Sequence, residues 1–317
     1  MSQGMAVAVP KKASHKVPLR RQFKAARGLL LMFIPGFLLI LLFNYGPMYG
    51  LQIAFKDFKI MRGIWGSNWV GFEHFQRFFT SPVVLRVLKN TIEISLMRLV
   101  FGFPAPIILA LLINELRDGF FKRFAQTVSY LPHFISWVII AALVRALLSP
   151  STGVVNAAIK ALGFQPIYFL VSTTWFRPVL ILSAIWKEVG WGSVLYLAAL
   201  SSVDPTLYEA AIVDGATRIQ RMRHISLPTI APVMSIVLIL NMGGILDAGF
   251  DQIFNMYNTN VFEVADIIDT YVYRAGLISY EYSFASAVGL FKSLVGLIMV
   301  LSTNAIVRRL DRGSALW

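Results

Sequence analysis

Six stretches of about twenty mostly apolar residues recur along this chain, and they restrict its fold more than any other feature. A bilayer's hydrocarbon core is ~30 Å thick, so a helix needs ~20 apolar residues to cross it. The stretches are 29–49, 90–114, 127–148, 179–200, 230–250 and 284–307. Charged residues are only 14% of the 317 and apolar ones 57%, whereas soluble domains carry about a quarter charged residues. That imbalance leaves lipid as the natural solvent for the excess apolar surface. Pro35, Pro104, Pro106, Gly192, Gly243 and Gly244 interrupt the stretches. Such breakers are tolerated in membrane helices because neighbouring helices satisfy the freed backbone groups, so they suit a packed bundle better than a lone anchor. The expected fold is an all-α membrane protein of about six transmembrane helices.

The net charge of +13 invites a nucleic-acid reading, but the basic residues sit in short segments between the apolar stretches, where the positive-inside bias accounts for them. Segments 1–28, 115–126, 201–229 and 308–317 hold 16 Lys and Arg in 79 residues. Segments 50–89, 149–178 and 251–283 hold 9 in 103. The first set is about twice as dense, which predicts both termini on the cytoplasmic side and no nucleic-acid partner. The last outer segment is acidic as well, with Asp251, Glu263, Asp266, Asp269 and Glu281 against Arg274. The expected organisation is a basic segment over 1–28 drawn to anionic lipid, a transmembrane domain over 29–307, and a tail over 308–317. Residues 1–28 are too long and too basic for a signal-peptide n-region, and the first apolar stretch is read as an uncleaved span. Aromatics in 50–89, among them Phe55, Trp69, Phe72, Phe75, Phe78 and Phe79, are expected at the outer interface or capping the bundle.

With no cysteine, disulfides, thiolate metal sites and cysteine nucleophiles are excluded. His15, His74, His133 and His224 are far apart and form no ligand spacing, so no metal is expected and each reads as an interfacial or loop residue. No nucleophile–base constellation points to an enzyme.

The segment 201–229 is the most specified. Asp204 suits an N-cap and Pro205 the first helical position, so a short helix should begin there. Leu207, Tyr208, Ala210 and Ala211 would share its apolar face. Gly215 permits a sharp turn, and a second short helix would carry Arg218, Arg221 and Arg223 before Pro228 and Pro232 open the fifth span. Two readings fit this chemistry equally: a helix pair that docks into a groove on a partner protein, or an amphipathic linker resting on the membrane.

A resemblance separates them. The order E-A-A, three residues, G, nine residues, I-x-L-P falls on Glu209, Ala210, Ala211, Gly215, Ile225, Leu227 and Pro228, with Asp214 before the glycine. This is similar to the signature loop of bacterial binding-protein-dependent ABC importer permeases, at the expected place between the last-but-two and last-but-one spans. NYGPMYGLQIAFKDF, FGFPAPIILALLINE and YLPHFISWV resemble the carbohydrate branch that imports complex oligosaccharides. The resemblance implies a type I importer permease in the inner membrane of a bacterium. Its expected partners are a second, non-identical permease subunit, two ATPase subunits that bind ATP and Mg, and an extracytoplasmic binding protein that delivers a saccharide. The chain itself would hold no cofactor, in keeping with its lack of a G-x-x-x-x-G-K-[ST] phosphate loop. Glu209 would pair with the ATPase, Ala210 and Ala211 allow close approach, Gly215 set the turn, and Ile225, Leu227 and Pro228 link the loop to the fifth span.

Polar groups within spans are costly and usually functional or paired. Glu188, Trp191 and Tyr196 in the fourth span, and Asn241 and Asp247 in the fifth, are the expected substrate-path residues. Trp191 and Asn241 are preferred by analogy with maltose-type relatives, where the helices flanking the loop form the sugar cavity. Lys187, Arg98 and Lys292 are further intramembrane charges, and Lys187 must point to a different side of its helix than Glu188. The alternative is an ion-coupled secondary transporter relaying protons through carboxylates such as Glu93, Glu188 and Asp247. It leaves the loop unexplained.

Overall fold

A computed structural model describes residues 26–310 and 315–316. The basic segment expected over 1–28 lies almost wholly outside the described residues, as does half of the 308–317 tail. The described residues up to Gln52 form one unit, and those from Ile53 onward a second.

Among the described residues, five helices are long and apolar enough to cross a membrane: Arg27–Phe55, Pro82–Asn114, Phe176–Leu200, Arg218–Gly243 and Tyr282–Arg309. A sharply bent helix pair makes six if its two halves are counted as one span. Three of the spans contain a π-turn, at Leu41–Tyr45, Arg98–Gly102 and Met222–Ser226. Each ends two residues before a proline: Pro47, Pro104 and Pro228. Proline donates no hydrogen bond to the carbonyl four residues back, and its ring crowds that carbonyl. Widening the preceding turn relieves both problems, as where Leu227 N–H reaches the Met222 carbonyl.

The third span departs from expectation. In place of one helix over 127–148, Phe120–Phe134 and Trp137–Leu147 meet at 105°. Pro132 begins the irregularity, and Ser136 starts the second helix by accepting the Ile139 N–H at 3.5 Å. Irregular backbone at membrane depth must find its partners inside the protein. The buried ammonium of Lys187, from the fourth span, donates to the carbonyls of Pro132, His133 and Ile135.

The fifth span also starts and ends earlier than the apolar stretch 230–250. The second short helix expected around Arg218 is not separate, but runs through the π-turn into the span as one helix, Arg218–Gly243. The Gly243–Gly244 pair stops it. Asp247 therefore lies in the irregular segment 244–249 and not within a helix.

Short helices fill the connections: α1 (Glu73–Thr80), α2 (Pro205–Val213), α3 (Phe250–Met256) and α4 (Ile268–Tyr273). Phe78 on α1 is 1% exposed and packs on Phe284 and Phe291 of the sixth span. Fourth-span Phe176 and Leu180 join Ile94, Ala141 and Ile253 in one apolar core, and Tyr196 and Leu200 join Ile107, Ala110 and Ile230 in another. The fourth span packs most extensively against Pro104–Asn114, the second half of the second span. Gly192 allows this approach, since a Cβ there would sit 2.9 Å from the Pro106 ring.

Candidate functional site

Two places concentrate the polar chemistry. The first is a cavity of about 400 Å³ among the second, fourth and fifth spans. All five expected path residues, Glu188, Trp191, Tyr196, Asn241 and Asp247, line it, together with Ser95 and Arg98. They arrive differently. Glu188, Trp191 and Tyr196 follow the helical spacing of the fourth span, while Asn241 ends the fifth and Asp247 comes from the turn beyond it. Trp191 is half exposed, but Tyr196 is 2% exposed and most of its ring belongs to the core. Apolar walls with a few convergent polar groups are the usual make-up of a small-molecule site.

Lys187 and Glu188 leave the helix on different sides, although the ammonium stays 3.7 Å from Glu188 Oε1. Lys187 is buried in the break of the third span, whereas the Glu188 carboxylate faces the cavity and bonds His133 Nδ1 at 2.8 Å. The His133 ring lies parallel to the Trp191 indole at 4.7 Å, and Phe134 meets its edge at 5.7 Å. His133, read from sequence as an ordinary loop residue, therefore stands behind two cavity residues. Only the fold shows this, because 55 or more residues separate the partners. Arg98 starts the π-turn of the second span and donates to the Gln252 side chain, which is anchored to the Leu180 carbonyl and Ser183 Oγ at 2.8 Å each. Glu93 is not near this centre; it pairs with Arg177 at 2.5 Å, away from the cavity lining. Lys292 pairs with Asp269 of α4 at 2.6 Å.

The second place is the loop 201–229. Asp204 Oδ1 accepts the Thr206 N–H at 2.9 Å, so α2 starts at Pro205 as its cap chemistry dictates. These bonds hold the Asp204 carboxyl below its ordinary value. At the other end Ala216 N–H bonds the Ala211 carbonyl at 2.8 Å and Gly215 N–H the Ile212 carbonyl at 3.0 Å. That is the Schellman pattern, which needs a left-handed residue after the cap; Gly215 supplies it with φ +79°. Thr217 and Gln220 then cap the next helix reciprocally, a box unnoticed in the sequence although T-x-x-Q is its standard form. Tyr208 reaches Ser226 at 2.9 Å and Arg221 reaches Glu115 at 3.7 Å, so the loop is tied to the fifth span and to the end of the second. Ala211, Asp214, Gly215 and Ile225 share a groove of about 350 Å³. Glu209, Ala210 and Pro228 are exposed on the loop, and Leu227 is half-buried at the start of its helix. Val213 and Ile219 are 87% and 76% exposed beside them.

Residues 102–315 match the family model of the binding-protein-dependent transport system inner membrane component. The protein LplB of Bacillus subtilis (strain 168) is 47% identical over 289 residues, covering 91% of each chain. The polygalacturonan/rhamnogalacturonan transport system permease protein YteP of the same organism is 48% identical over 281 residues, covering 89% of this chain and 88% of its own. Among solved structures, a bacterial ABC transporter involved in the import of the acidic polysaccharide alginate matches with TM-score 0.85 at 45% identity, over 93% of this chain and 100% of that one. A bacterial alginate ABC transporter in complex with an alginate pentasaccharide-bound periplasmic protein matches with the same TM-score, 0.85, at 44% identity, over 93% of this chain and 99% of that one.

Proposed function

We propose that this chain, which belongs to the family of binding-protein-dependent transport system inner membrane components, lines with its 400 Å³ cavity half of a pathway for a saccharide. The chain is a multi-pass membrane permease of an ABC importer and not an enzyme; ATP hydrolysis belongs to a separate subunit. The ion-coupled alternative finds no support in any of these matches.

The observation that carries the saccharide reading is the meeting of Trp191, Glu188, Asn241 and Asp247 around one cavity. Sugars are bound by an aromatic face together with carboxylates and amides that satisfy their hydroxyls. The half-exposed indole offers the face, and the other three offer the polar groups. YteP and the alginate transporter are named for uronate-rich polymers, which makes uronate oligosaccharides the first substrates to test.

The loop 201–229 is the contact for the ATPase in this reading, and it belongs with both termini on the cytoplasmic side by the Lys and Arg asymmetry. Its exposed apolar residues and doubly capped turn offer a rigid, partly greasy knob to a partner cleft. Segment 1–28 would rest on anionic lipid and 29–307 form the transmembrane domain. Two ATPase subunits binding ATP and Mg, a binding protein on the other side and a non-identical second permease complete the assembly.

Reconstitution with the ATPase subunits and the cognate binding protein tests this. Uptake of oligosaccharide should need ATP and both partners. Uptake that persists without the ATPase, driven by an ion gradient, would overturn it.

A further inference from the structure

An arginine in the middle of an apolar span is costly, and such a charge is expected to have a task. Arg98 is only half used. Its Nη2 donates to Gln252, a side chain buried completely and held in turn by Leu180 and Ser183. Gly249 makes room for the guanidinium, because a Cβ at that position would overlap it. The guanidinium is thus held in a prepared seat through Nη2. Its Nε is buried and has no hydrogen-bond partner. One helical turn away on the same side, Ser95 is 5% exposed and its Oγ is likewise buried and unpartnered. Both residues line the cavity.

Two unsatisfied donors one helical turn apart in a cavity wall are a deficit that a protein ordinarily removes. An acceptor supplied from the cavity would remove it here. Glu188 and Asp247 are the counter-charges in whose field Arg98 sits. They leave its Nε unpaired, and they offer acceptors to the hydroxyl groups of a ligand.

We infer that Arg98 Nε and Ser95 Oγ form an anion subsite in the cavity wall that receives a carboxylate of the carried saccharide. This rests on the saccharide-permease reading above. A carboxylate is the fitting ligand because it accepts a charged N–H and a hydroxyl on two oxygens at once. Gln252 and Gly249 are positioning residues for the guanidinium.

The test compares uptake of trigalacturonate with that of its methyl ester, using the complete importer with its binding protein in liposomes. Each variant is expressed relative to wild type for the same substrate, so that the binding protein's own preference cancels. Ser95→Ala removes no bond made within the chain, which guards against mere misfolding. It should lower uptake of the acid roughly tenfold, the effect of one charge-assisted contact, and leave the ester within about twofold. Arg98→Gln should lower the acid further, and Arg98→Lys should restore part of the loss. If Ser95→Ala is silent and Arg98→Gln depresses both substrates equally, Arg98 only braces Gln252 and the subsite is wrong. A wild-type importer that takes up neutral saccharides alone, or acid and ester equally, overturns the subsite and leaves the permease reading standing. One that takes up no saccharide overturns both.

Discussion

The imidazole of His133 lies flat against the indole of Trp191, with ring centres 4.7 Å apart and planes 4° from parallel. The same imidazole bonds Glu188 at 2.8 Å. One residue in the break of the third span therefore sets the pose of an aromatic platform and of a carboxylate in the cavity wall.

Replacing His133 should loosen both. A stacked aromatic pair contributes about 0.5–1.5 kcal/mol beyond its buried area, so His133→Ala should raise the KM for saccharide uptake by roughly two- to tenfold, with the maximal rate little changed. His133→Phe keeps the stack without the bond and should recover part of the loss. Equal KM values for wild type and His133→Ala would remove the pose-setting role.

Lys187 and Gly190 join the fourth span to the broken third. Lys187→Met leaves the carbonyls of Pro132, His133 and Ile135 without their ammonium donor, at a cost of about 3 kcal/mol. Gly190→Ala drives a methyl into the Ser129 backbone, and backbone cannot step aside as a flexible side chain can. Both variants should melt lower than wild type in detergent. A Gly190→Ala protein with unchanged melting would show that the two segments separate easily.

Gly215 should behave in the opposite way. A Cβ there meets nothing within 4 Å, so only its backbone conformation at φ +79° resists substitution. Gly215→Val should cost about 1–2 kcal/mol locally, while Gly215→Asn, which tolerates the left-handed region, should cost less. The expected result is normal insertion with depressed saccharide-stimulated ATP hydrolysis for valine, and partial recovery for asparagine. Full hydrolysis by the valine variant would separate the turn from coupling.

Asp204 gives a pH signature. Its carboxyl is held below its ordinary value by the backbone and side chain of Thr206. A depressed carboxyl contributes stability above its unfolded value, ~3.9, and loses it as the pH falls through the lower folded value. Asp204→Asn keeps a cap that does not titrate. The melting-temperature advantage of wild type over this variant should be constant between about pH 6 and 8 and shrink below about pH 4. An advantage that grew in acid would have the wrong sign for a capping carboxylate.

Much of this was legible from residues alone because its causes are local. Apolar length announced the spans, since crossing hydrocarbon depends on consecutive residues. Asp204-Pro205 and Gly215 announced α2 and its turn, since caps act over a few positions. The conflicting signals at 132–136 were also local, but an apolar count cannot say whether a proline bends a helix or breaks it. Hydropathy puts Asp247 inside a helix for the same reason, since it runs on past the glycines that stop the span.

The residues of the cavity were separable only in three dimensions. Adjacency required Lys187 and Glu188 to face apart, yet not which one would be buried. That was settled by the carbonyls of the broken third span, more than fifty residues earlier, to which the three-donor ammonium of Lys187 bonds. The same holds for His133, Gln252 and Arg98, whose meaning lies in partners from other spans. The sequence determined that the chain crosses a membrane and carries a capped, exposed loop, because those depend on runs and short spacings. The tertiary structure decided which intramembrane polar groups are braces and which face the cavity, because in an apolar interior each polar group is defined by the partner it finds.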